Sequence, residues 1–156
     1  MDAYVLARVI HVLAVVHWIG GVAMVTLVLL PSIGRLARPE DRLATFEAVE
    51  HRFSGQARLS TAAAGLSGLW MLWQTEGWWR LADPAQAWVT LMLAVWAVFT
   101  LVLFVAEPMV LHAWFHRAAQ RDPEGTFRLV LRLHRVLLAV SVLAVAGGVA
   151  GAHGGL

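Results

Sequence analysis

Cysteine is absent from this chain, and so is lysine. The first absence excludes structural disulfides, thiolate metal sites and thiol nucleophiles in any compartment. The second leaves arginine as the sole basic side chain, 12 in all. A guanidinium stays charged beside lipid phosphates or carboxylates, where a buried ammonium can lose its proton. Charge is scarce altogether, at 14% of residues against 60% hydrophobic, and the mean hydropathy is +0.69. That balance is too apolar for a water-soluble fold of 156 residues, so the expected solvent is a bilayer. The sequence pI of about 10.4 then gives no reason to expect nucleic acid, because the arginines gather at membrane-edge loops and no soluble basic domain carries them. Low-complexity segments and internal repeats are also missing, and residues 1–156 read as one membrane domain.

A spanning helix needs about 20 mostly apolar residues. Four segments are read as spans: Tyr4 to Leu30, Glu47 to Trp73, Gln86 to His116 and Thr126 to Gly151. The first is longer than a secretory hydrophobic region and holds two histidines, so it reads as a retained helix. Pro31, Pro39 and the charges through Arg42 predict the first loop, Glu76 to Pro84 the second and Arg117 to Gly125 the third. Short loops imply antiparallel neighbours, and the predicted fold is an all-α, up-and-down four-helix bundle with both termini on one side. Ten arginines, in Arg35 to Arg58 and Arg117 to Arg135, fall on the face of the first and third loops, and only Arg8 and Arg80 on the other. The positive-inside rule makes the arginine-rich face cytoplasmic and puts the termini outside, as expected for a bacterial cytoplasmic membrane. Trp78, Trp79 and Trp88 are expected at the outer boundary and Trp114 at the inner one. Gly65, Gly68, Gly147, Gly148 and Gly151 offer small surfaces for close helix approach.

Seven histidines then demand a reason, since an imidazole in hydrocarbon usually holds a metal or haem or moves protons. His51 and His134 lie one or two turns in from the cytoplasmic face on the second and fourth spans, diagonal partners in such a bundle. Two imidazoles facing each other there would suit a six-coordinate haem b, with Arg52, Arg58, Arg132 and Arg135 near its propionates. His112 and His116, four apart on one helix face, suit a second haem ligand or a copper or zinc ion, or are an interfacial pair. His11 and His17, six apart, point about 120° from each other, so one can ligate iron while the other bonds a carbonyl or relays protons. His153 sits in a glycine-rich tail and is expected in solvent. Glu107 precedes Pro108 within the third span, where a carboxyl can serve as a proton relay or, as expected here, pair with an arginine near the cytoplasmic face. Trp96 and Met92 read as packing.

Arg8, His11, Trp18 and Gly21 together resemble the Lys/Arg-x-x-His, Trp-x-x-Gly opening of the HemJ-type membrane protoporphyrinogen oxidases and the copper-resistance-protein-D-like proteins related to them. Phe46, Glu50, Arg52 and Phe53 are similar to the start of that superfamily's second helix, and Phe127-Arg128 to the aromatic-arginine pair opening its fourth. The resemblance spans all four helices through short motifs. It implies a four-helix haem b protein with His11 at the family histidine. Two positions depart: Val89, Thr90 and Leu91 follow Trp88 where the oxidases have a lysine, and Leu133, His134 and Arg135 replace an Asn-Glu-x-Pro stretch.

The expected function is therefore that of a b-type cytochrome with one or two haems, moving electrons between a quinol or protein partner and an acceptor, alone or as a homo-oligomer in membrane lipid. A redox enzyme on the same scaffold, protoporphyrinogen oxidation included, is the alternative. Copper handling is a third reading, resting on His112 and His116. The missing cysteines and the scattered Met1, Met24, Met71, Met92 and Met109 speak against it.

Overall fold

The structure is a computed structural model that describes residues 2–154, with the side chains of Arg52 and His112 outside the described set. It is all-helical, with no strand among the described residues. Helix α1 (Ala3–Met24) starts at Asp2, whose carboxylate accepts from the Tyr4 N–H at 3.3 Å. The π-helical turn Val25–Leu29 carries it without a break into α2 (Leu30–Leu36). Pro31 was expected to open a loop and does not. The widened turn before it closes with the Leu30 N–H on the Val25 carbonyl, and the ring then falls in the first turn of α2, where a missing N–H costs little. The chain leaves the helix at Ala37 and stays extended at Arg38, as the residue before Pro39 must.

A short 3-10 turn, Pro39–Asp41, leads into α3 (Arg42–Gln74), which at about 1.5 Å per residue is roughly 50 Å long. Glu76, in the left-handed region at φ 50°, turns the chain into the 3-10 segment Gly77–Leu81. Asp83 accepts from the Ala85 N–H at 3.0 Å and starts the turn before α4 (Ala87–Leu101). The π-helical stretch Val102–Leu111, with Pro108 inside it, joins α4 to α5 (His112–Arg121). The third loop, expected from Arg117 to Gly125, shrinks to Asp122. That residue accepts from the Gly125 N–H at 2.8 Å and takes the Thr126 hydroxyl on its carbonyl, and Pro123 opens α6 (Pro123–Ala152).

Helix α1 lies along α3 and α4 along α6, while α1 touches α6 and α3 touches α4; α3 and α6 meet only slightly. Polarity runs inside out. Thr26, Thr61 and Ser141 are buried to within 1% of full enclosure, whereas Leu13, Val16, Leu27 and Leu59 are all more than 60% exposed. Three helical rods, Ala3–Leu36, Pro84–Leu111 and Pro123–Ala152, are long and apolar enough to cross a membrane. Helix α3, expected as a further span, has the length without the apolar window. Its hydroxyls and charges explain the shortfall: Ser54, Ser60, Thr61 and Ser67 are all buried against neighbours, and Leu59, Leu66 and Trp73 face outward.

Lipid tails are as apolar as leucine, so helices in a bilayer are held by close packing and hydrogen bonds more than by water exclusion. Two buried layers provide the packing. One gathers Ala14, Trp18, Val22, Ala64, Val95, Phe99 and Ala144, with Trp18 edge-on to Phe99 at 4.8 Å between centroids. The other gathers Val25, Leu30, Ile33, Leu43, Phe46, Phe127 and Val130. The glycines read as approach surfaces receive side chains: Trp96 lies on Gly65, Met92 on Gly148 and Trp88 on Gly147 and Gly151. Trp96 and Met92 are thus packing groups as expected, and Trp88 turns into the α4–α6 seam. Trp78, Trp79 and Trp114 are exposed. Because the Trp96 indole N–H also donates to the Thr61 carbonyl at 2.9 Å, Gly65→Leu must displace the ring and lose that bond. Thermal unfolding in detergent should show a loss of about 2–3 kcal/mol from overpacking, and an unchanged midpoint would contradict this seating.

Candidate functional site

The polar interior begins where α3 meets the proline-bearing stretch of the Pro84–Leu111 rod, the third long rod in chain order once α3 is counted. Proline has no N–H, and in an i to i−5 ladder the carbonyl left without a donor by Pro108 is that of Leu103. Arg58 Nε donates to that carbonyl at 3.0 Å, and Arg58 Nη2 donates to Glu107 Oε1 at 3.1 Å. Glu107 is therefore paired with an arginine, as its sequence context predicted, and one guanidinium closes both the backbone defect and the carboxylate. About three turns of α3 nearer the arginine-rich face, Glu47 Oε2 meets His116 Nε2 at 3.2 Å. Glu50 lies between, close enough to Glu107, Arg58 and Glu47 to feel all three charges. Two ion pairs, Arg58 with Glu107 and His116 with Glu47, are thus strung along this junction with Glu50 between them in sequence.

Of the histidines proposed as ligands, the structure turns two inward. His11 Nδ1 lies 2.8 Å from the Ala64 carbonyl, and its ring rests on Gly68, where an added Cβ would stand 3.1 Å from Cε1. A carbonyl only accepts, so Nδ1 carries the proton and Nε2 keeps its lone pair in the neutral ring. Ser67 Oγ is 3.3 Å from the same nitrogen. His134 follows the same rule on its own helix, with Nδ1 2.9 Å from the Val130 carbonyl and the ring edge-on to Phe46 at 5.6 Å.

The remaining rings lie elsewhere. His51 is exposed, so it does not face His134 across the core. The reason is helical phase: His51 follows Phe46 by five residues, about 140° round α3, which puts it on the side of Glu47 and Arg58 and away from His134. His17 is exposed on α1, His116 is exposed and engaged with Glu47, and His153 is exposed with its Nδ1 2.8 Å from the Val149 carbonyl. Arg132 and Arg135 are exposed beside His134. Arg52 and His112 were named as propionate partner and ligand; their side chains lie outside the described residues. Among the described residues, no three histidine, aspartate or glutamate side chains gather closely enough to hold a metal ion. Nor can His11 and His134 share an iron. On α3 they meet Ala64 and Phe46, 18 residues or roughly 27 Å apart.

Sequence reasoning missed the buried polar atoms at mid-depth, Trp18 Nε1, Thr61 Oγ1 and Thr100 Oγ1, which have no hydrogen-bond partner. The available signal was the spacing of Glu47, Glu50, Ser54, Arg58, Thr61, Gly65 and Gly68, which recur every three or four residues and so share one face. Comparison with family models, curated proteins and solved structures finds no match to the chain.

Replacing Arg58 by methionine keeps an unbranched apolar stem without the guanidinium and strands both the Leu103 carbonyl and the Glu107 carboxylate. A loss of about 2–3 kcal/mol is expected on thermal unfolding. Glu107→Gln, which leaves Arg58 on the carbonyl, should cost about 1 kcal/mol. The double variant should fall short of the sum, and strict additivity would show that the two side chains do not interact.

Proposed function

We propose that the chain is a four-span, up-and-down integral membrane protein of a bacterial cytoplasmic membrane, with both termini outside, that binds haem b and carries electrons as a cytochrome does. The arginine distribution supports the orientation. The inward stripe of α3, backed by Leu59 and Leu66 on its outer side, supports a fourth span that a hydropathy window does not detect.

His11 carries the cofactor reading. Its Nδ1–H is committed to a backbone carbonyl, the second-shell bond that fixes tautomer and ring plane in metal-bound histidines, and its Nε2 is left basic. Gly68 keeps the ring's seat open. This donor chemistry fits a haem iron at His11, and the first-helix resemblance falls on the same residue. It fits a second haem at His134, near Arg132 and Arg135, and it does not fit one iron held by His51 and His134. When bound, haem supplies a one-electron iron couple whose potential follows its ligands and burial. The chain's part is to orient the two rings and exclude water around them; a quinol or a redox protein is the proposed partner.

Two measurements test this. A chain without cysteine accepts single reporters directly: Glu40→Cys and Gln120→Cys should react with an impermeant maleimide only from the cytoplasmic side and Glu76→Cys only from the outside, and labelling of Glu40→Cys and Glu76→Cys from one side would overturn the crossing of α3 and with it the four-span topology. Protein purified from haem-replete cells should give a haemochrome spectrum and a Soret band that shifts on reduction. His11→Ala should lose or alter that band while His153→Ala leaves it intact. A colourless wild-type preparation would overturn the haem assignment.

A further inference from the structure

Hydroxyls buried in these helices generally return their proton to the backbone. Thr26 donates to Val22, Ser60 to Gln56, Ser67 to Ala63 and Ser141 to Leu137. Thr61, fully buried, and Thr100 do not, and Trp18, 4% exposed, keeps an indole N–H without an acceptor. A fourth unpartnered atom, Trp88 Nε1, lies at the start of α4 against Gly151, and the other three lie at one level. Arg58 meets the Leu103 carbonyl and Gly65 meets Trp96, so α3 and the third rod run antiparallel in a register that sets Thr61 opposite Thr100. Trp18 joins them through its edge contact with Phe99, the neighbour of Thr100. An unpartnered polar atom costs about 1–3 kcal/mol in a protein interior and more in hydrocarbon. Three in one layer offer the two to four polar partners that a buried water requires.

This layer lies within a longer series. The inner stripe of α3 runs from Glu47 through Glu50, Ser54, Arg58 and Thr61 to Gly65 and Gly68, where His11 sits. That is 21 residues, or roughly 31 Å, close to the hydrocarbon thickness of a bilayer. Titratable groups stand along it: Glu47, Glu50 and His116 towards one end, Glu107 near the middle and His11 at the other end. The Arg58 charge, which would repel a proton, is offset by Glu107. Between Thr61 and His11 the stripe is closed at a single level by the Trp96 ring seated on Gly65 and tied to the Thr61 carbonyl.

We propose that α3 carries a proton path across the membrane, entered at Glu47 and Glu50, passing the Arg58–Glu107 pair and a water held by Trp18, Thr61 and Thr100, stoppered by Trp96, and leaving through His11. His11 bonds the Ala64 carbonyl and rests on Gly68, three to seven residues beyond Thr61 or about 5–10 Å, too far for one hop. Conduction therefore needs Trp96 to lift and water to enter over Gly65. One proton taken up on one face is released on the other, and the charge moved must be balanced by a counter-ion. The path rests on α3 being a span and is independent of haem.

The test is proton flux in liposomes that hold a pH-sensitive dye, driven by a potassium diffusion potential set with valinomycin. Wild-type protein should acidify the lumen faster than protein-free vesicles, Trp96→Leu should raise the rate several-fold, and Glu107→Gln and Thr61→Val should each lower it. The Trp96→Leu/Thr61→Val double variant should return to the protein-free rate. If it leaks as fast as Trp96→Leu alone, the flux is non-specific and the path is refuted. Wild-type and Trp96→Leu rates equal to empty vesicles refute it as well. Maleimide labelling separates the failures: absent flux with four spans intact removes the path alone, whereas α3 found outside the membrane removes both readings.

Discussion

A helix that meets proline inside hydrocarbon leaves a carbonyl that water cannot reach, and much of this protein is arranged around the arginine that takes it. Arg58 reaches from α3 to the Leu103 carbonyl and in the same geometry grips Glu107. In a bilayer the backbone must be satisfied from within the protein, so a π-helical stretch carrying Pro108 survives only where a neighbour donates. The pair fixes the register of α3 against the third rod. From that register follow the meeting of Gly65 with Trp96 and the level at which Thr61 faces Thr100.

Helix α3 explains why the fold is inside out without being arbitrary. Leu59, Leu66 and Trp73 face outward together with His51 and Gln56, and carboxylates, an arginine and hydroxyls run along the side packed on its neighbours. Averaged along the chain, the two sides cancel, which is why length and composition identify three crossing helices and leave this one aside. A helix amphipathic in this sense suits the interior of a membrane bundle: its polar face is sheltered by the other rods and its apolar face meets lipid.

The histidines divide by the same geometry. His11 and His134 point into seams between helices and each commits Nδ1 to a carbonyl, which leaves the other nitrogen basic. His17, His51 and His116 stand on outer or junctional surfaces. Two inward rings about 27 Å apart describe two separate positions along the bundle. Electron carriage along haem and proton movement along α3 would use different residues of one scaffold.

The all-helical class, the loop around Glu76 and the pairing of Glu107 were legible in the sequence, because each depends on a few adjacent residues or on an average over about twenty. Helix continuation through Pro31 was not, since a single widened turn absorbs the ring. The inward choice of His134 over His51 was not legible either. It depends on the phase of α3, which contacts with α1 and the third rod decide. Composition and spacing could name the histidines and arginines; which of them share a seam, and which buried hydroxyls lack a partner, only the packing of one helix against the next determined, because a side chain's neighbours across a seam leave no trace in its own stretch of chain.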